Sequence, residues 1–151
     1  MSTSYIGSVS DLAIYTIIVS LTYPIPDFAN GTLMPTLTRN LALNLVGADK
    51  DSEAMKRFEG KQVQVLQFVD QRLSSVPWLA GDEFSAADIM AVASFTGFRH
   101  YLSYDLGPYP NILAYLQRVT RREAYRRAKQ KADPGHEIKS FIGPSPPQRL
   151  V

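Results

Sequence analysis

Cysteine is absent from the chain, which excludes disulfides, thiolate metal sites and cysteine nucleophiles. Histidine occurs only at His100 and His136, too sparsely for a histidine-rich metal site. No stretch reaches the roughly 20 apolar residues that a membrane-spanning helix requires. The run Leu12–Tyr23 comes nearest, but Thr16, Ser20 and Thr22 interrupt it. Asp11 precedes it and no Lys or Arg does, so the basic flank of a signal peptide is missing. A cytoplasmic location without a membrane partner is therefore expected. Paired strands are lacking as well. Ile14–Val19 is β-branched and aromatic and favours a strand on propensity alone. No second such run exists to pair with it, and a lone strand is not stable.

What is present suffices for one domain with one sizeable core: 151 residues, 45% hydrophobic and 20% charged. The net charge of +2 says little about partners. The chain is organised around Phe84-Ser85-Ala86-Ala87-Asp88-Ile89 and the uncharged run to Phe98. Ser85 and Asp88 have the spacing of a capping box, in which each side chain satisfies the other's backbone N–H at the first turn of a helix. Phe84 and Ile89 are placed for a hydrophobic staple across that turn. A second reading makes Asp88 a buried acid at a catalytic site, but no partner base lies near it in sequence. A helix apolar around most of its girth has neighbours on several sides. The expected fold is all-α, a helical bundle around this central buried helix.

Upstream, Asp27 is placed to cap a helix running to about Val46, with Leu33, Met34, Leu37, Leu41, Leu45 and Val46 at helical spacing. Pro35 inside it predicts a kink near Gly31, because its ring presses on that carbonyl. Gly47 suits a left-handed C-terminal cap. Asp49 or Asp51 is expected to start the next helix, to about Leu73, with Met55, Phe58, Gln62, Val65, Leu66, Val69 and Leu73 as its stripe and Asp70 away from it. Trp78 reads most simply as a core plug under its connector, with ligand stacking as the alternative. Downstream, 111–119 is a short helix, and Thr120 with Glu123 has the spacing of a second capping box, opening a helix to about Ala132. His100 reads as a structural histidine more readily than as a base. Arg118, Arg121, Arg122, Arg126, Arg127, Lys129 and Lys131 are offset only by Glu123. That reads as a solvated helix face sooner than as a nucleic-acid surface.

Two segments carry a family resemblance: Phe28-Ala29-Asn30-Gly31-Thr32-Leu33-Met34-Pro35 and Pro77-Trp78-Leu79-Ala80-Gly81-Asp82-Glu83-Phe84-Ser85-Ala86-Ala87-Asp88-Ile89. With Tyr109-Pro110-Asn111-Ile112 and Ala124-Tyr125-Arg126-Arg127-Ala128 they resemble the C-terminal helical domain of cytosolic glutathione S-transferases, over about residues 24–132. Asn30, Glu123 and the prolines Pro24 and Pro26 depart from the usual family pattern. The resemblance divides the chain into an atypical segment 1–22, a helical domain 23–132 and an expected disordered tail 133–151. It implies a protein of a family that conjugates glutathione to electrophiles, with this chain as the helical half, truncated of the thioredoxin-like domain and inactive alone. Residues 1–22 are shorter than the ~30 residues of one βαβ unit. The thiolate-stabilising residue belongs to that other domain, so no catalytic residue is assigned. No cofactor is expected in the chain itself, glutathione being the family's co-substrate.

By position, the resemblance makes Phe28, Gly31, Met34, Tyr101 and Tyr104 candidates to line the pocket for a small hydrophobic electrophile. The plainer reading is that all five are ordinary packing or surface residues. It also implies a homodimer or a protein partner. The alternative function is a non-catalytic interaction module, of the kind found in elongation factor 1 gamma and in some aminoacyl-tRNA synthetases.

Overall fold

The computed structural model of the chain describes residues 28–102, 104–132, 134 and 142–145. Expectations about residues 1–27, including the strand-like run and the Asp27 cap, lie outside these, as does most of the expected tail. The described chain is helical throughout: a π-helical turn at Ala29–Leu33, α1 (Met34–Leu45), α2 (Glu53–Ser75), α3 (Ala86–Phe95), a 3-10 turn at Gly97–His100, α4 (Pro110–Arg121) and α5 (Glu123–Ala132).

Pro35 explains the first turn. It has no N–H to donate, and its ring crowds the carbonyl four residues back. The chain answers by widening, so that the Met34 N–H bonds to the Ala29 carbonyl, five residues away. At the other end of α1, Gly47 has φ +67°. Its N–H bonds Asn44 O at 3.2 Å, and the Ala48 N–H bonds Leu43 O at 3.0 Å, a Schellman closure. Leu33 and Leu37 are buried, but Leu45 and Val46 are exposed, so the apolar stripe expected of this helix leaves the core in its last turn.

Neither Asp49 nor Asp51 caps α2. Ser52 does, with Oγ accepting the Met55 N–H at 3.2 Å. Asp49 instead takes the Asp51 N–H at 2.9 Å and shapes the approach. The stripe buries Met55, Val65, Leu66, Val69 and Leu73. Asp70 also reaches α4. One of its oxygens accepts the N–H groups of Asn111 and Ile112 at 2.8 and 3.0 Å, and the other accepts Asn111 Nδ2 at 2.9 Å. A carboxylate from a neighbouring helix thus serves donors at the α4 N-terminus, where negative charge is favoured.

The chain reaches α3 through a tight turn. Trp78 and Gly81 exchange both backbone hydrogen bonds at 3.0 Å, with φ +136° at Gly81. Asp88 is 0% exposed. Its Oδ2 accepts the Ser85 N–H at 2.8 Å and the Ser85 hydroxyl at 3.2 Å. Its Oδ1 reaches beyond the helix to the Leu79 N–H at 2.9 Å, which fastens the preceding turn. The π-turn, α1, the 3-10 turn and α4 all pack on α3, as expected of a central helix, but one narrow face stays open. Ala87, Asp88, Ala91, Val92, Ser94 and Phe95 are buried, whereas Ala86, Ile89 and Ala93 form an exposed row, with Ile89 60% exposed. Phe84 meets Trp78 edge-on at 5.2 Å.

Ile112, Tyr115, Leu116 and Val119 of α4 are all buried. The second box spacing is not realised. Thr120 still lies within α4, and its hydroxyl donates to Gln117 O at 3.2 Å. Within the C-terminal region, over 142–145, Ile142 packs on the core and Arg99 holds the following carbonyls.

Replacing Asp88 by Ala strands two buried N–H groups. Each such loss costs about 1–3 kcal/mol. A destabilisation of about 2–5 kcal/mol is expected in urea unfolding, against about 1 kcal/mol for Ser52→Ala at an ordinary, partly exposed cap.

Candidate functional site

The five candidate pocket residues fall in two places. Phe28, Gly31 and Met34 lie on the π-turn and the start of α1, which pack against α3. Phe28 is half-buried, with its ring 5.1 Å from that of Phe68 on α2. Met34 is half-buried. Gly31 is exposed, and a Cβ built there would meet no atom within 4 Å. Tyr101, after the 3-10 turn, is 47% exposed. Tyr104 differs from the other four. Its ring is buried, its hydroxyl donates to Ser94 O at 2.6 Å, and the Arg99 guanidinium stands 5.6 Å from its ring centre.

A shallow cleft of about 450 Å³ lies elsewhere, lined by Val63, Gln67, Asp70, Gln71, Pro108 and Tyr109. Both oxygens of Asp70 are already engaged at the α4 N-terminus. The cleft therefore offers shape without a free base. Burial raises the Tyr109 phenol above its ordinary pKa, and the charges of Asp70 and Asp105 add to that rise.

Trp78 sits among rings and cations: Phe84 at 5.2 Å, Tyr115 at 6.2 Å, and the guanidinium groups of Arg118 and Arg122 at 5.9 and 5.8 Å. Arg122 lies closer still over Phe84, at 3.7 Å. Arg118 also donates to Pro77 O at 2.9 Å. Two members of the basic run thus serve as structural cations over an aromatic pair. Nothing in their spacing announces this, because the rings lie some forty residues upstream.

The buried phenol hydroxyls of Tyr104 and Tyr115 are occupied. Tyr115 donates to Asp88 O at 3.3 Å. Burial raises its pKa well above the usual tyrosine value, and the Asp88 carboxylate pushes the same way. Burial raises Tyr104 too, opposed by the charge of Arg99. Neither phenol has the exposed, lowered-pKa character that would steady an anionic sulfur.

The glutathione S-transferase C-terminal domain model matches residues 12–123. The chain belongs to this family. Similar proteins include the disulfide-bond oxidoreductase YfcG of Escherichia coli, 30% identical over 110 residues, covering 71% of this chain and 49% of that protein. A glutathione S-transferase domain-containing protein of Dictyostelium discoideum is 29% identical over 92 residues, covering 60% of this chain and 35% of its own length. This chain thus spans about half, or less, of the length of the relatives it matches. A glutathione S-transferase from Actinobacillus pleuropneumoniae superposes over 92% of this chain and 58% of its own, with TM-score 0.59 and 17% identity. A glutathione transferase from Burkholderia graminis, with two glutathione molecules bound per subunit, covers 72% of this chain and 48% of its own, with TM-score 0.53 and 22% identity. At those identities the two structures bear on the fold alone. Among the described residues, no helix is long and apolar enough to cross a membrane.

The two raised phenols set an alkaline limit on stability. The unfolded chain ionises its tyrosines near pH 10, while the folded chain holds Tyr104 and Tyr115 neutral to higher pH. Their contribution is complete below about pH 10 and is lost as pH rises toward the folded values. The urea midpoint is expected to fall above pH 10, and Tyr115→Phe should flatten that fall. An equally steep decline in the variant would contradict the assignment.

Proposed function

We propose that the chain is the helical half of a glutathione S-transferase-type protein, forms the electrophile side of its pocket, and does not conjugate glutathione by itself. The family match over residues 12–123, in a chain about half the length of its relatives, carries this reading. Conjugation needs a glutathione thiolate held by donors at its sulfur. The described phenols Tyr104 and Tyr115 are bound to backbone carbonyls instead. Phe28, Gly31, Met34 and Tyr101 remain as an apolar, accessible set suited to a small hydrophobic electrophile, with glutathione as co-substrate and not as a cofactor of this chain. Val63 and Phe68, exposed on α2, support a homodimer through the first helices, in a cytoplasmic protein.

The 151-residue chain is expected to leave the reaction of glutathione with a chlorinated nitroaromatic at its uncatalysed rate. Millimolar glutathione should not shift its Tm, whereas the aromatic alone should raise it, and Met34→Lys should abolish that rise. Turnover above background would overturn the inactive-alone reading. An unchanged response to the aromatic in Met34→Lys would overturn the pocket.

A further inference from the structure

Arg99 is 0% exposed. A cation so buried ordinarily rests against a carboxylate. Here main-chain carbonyls cage it. Nε donates to Tyr104 O at 3.3 Å and Nη1 to Gly143 O at 2.9 Å. Nη2 donates to Pro144 O at 2.9 Å and Ser145 O at 2.8 Å. The carboxylate of Asp105 acts on Arg99 through space but accepts the Gly107 N–H at 2.8 Å. Three of the four acceptors come from three consecutive residues, more than forty positions along the chain. Pro144 O also accepts the Leu106 N–H at 2.9 Å. The strap is thereby tied both to the cation and to the loop after α3.

The recognition is of main chain and not of side chains. A guanidinium presents a planar fan of five N–H donors, and Gly143, Pro144 and Ser145 present successive carbonyls to it. We propose that Arg99 forms a peptide-binding socket whose ligand is the backbone of residues 143–145, and that its occupancy fixes Tyr104 and Leu106 against the core. An emptied socket would leave a buried charge with one carbonyl, that of Tyr104, which is costly. Local folding and occupancy are therefore linked as ligand binding and stability are. The ligand class is a short bent segment, centred on proline, that offers three carbonyls in succession.

Two deletions of the full chain test this, removing residues 146–151 or 142–151. The shorter should leave Tm within about 2 °C, and the longer should lower it by about 8 °C or more. A synthetic peptide of residues 140–151, added to the longer deletion, should restore Tm saturably, and a scrambled peptide should not. Equal Tm values for the two deletions, or no effect of the peptide, would overturn the socket. Should the longer deletion not fold, Arg99→Lys in the full chain keeps the charge and loses the fan. It should cut hydrogen-exchange protection of the Leu106 amide about tenfold while leaving Val69 in α2 unchanged. Unaltered protection at Leu106 would equally overturn the proposal.

Discussion

The Asp88 carboxylate is the constraint on which the remainder depends. It is fully buried, and ionised acids enter a protein interior only when their lone pairs are satisfied. Ser85 and Leu79 supply the donors. One side chain therefore starts α3, sets the turn before it, and holds Leu79 in the core beneath Trp78. The Tyr115 hydroxyl then reaches the Asp88 carbonyl, which brings α4 onto the same point. The first turn of the central helix, its connector and a facing helix are positioned together.

The same economy recurs across the domain. Asp70 spends its charge on the backbone of α4, and Arg99 spends its charge on the carbonyls of the strap. Arg118 and Arg122 stand over rings. Among the described residues, the ion pair Arg127–Glu123 is exposed, where screening leaves such pairs with little effect. Charges here are matched to main-chain dipoles and aromatic faces more than to one another. Such matches depend on backbone geometry, so they join helices that are far apart in sequence.

That dependence governs what could be read from the chain before its fold. The all-helical class, the identity of α3 and the left-handed Gly47 follow from local rules, and local rules are visible in a linear string; near Pro35 they point to a disturbance, expected as a kink and found as a π-helical turn. Spacing alone misled where chemistry had rivals. Ser52, and neither aspartate, caps α2 because the helix begins at Glu53 and so places Ser52 at the N-cap, with its Oγ on the Met55 N–H. Thr120 stayed helical because α4 runs on to Arg121. Ile89 points outward, since a run apolar in composition need not be buried on every side. Asp70 and Arg99 could not be read at all, because their partners are 41 to 46 residues away. Of the five pocket candidates, Tyr104 turns inward, a direction fixed by the Ser94 carbonyl and not by its place in the chain.

Gly31 has no left-handed φ and no atom within reach of a built Cβ. A side chain placed there would stand on the exposed face of the π-helical turn, between Phe28 and Met34 in sequence. Substitution there would reshape the surface without asking Leu33 or Leu37 to move. The bulk presented on this stretch of surface can therefore range from bare backbone to a ring while the interior stays unaltered.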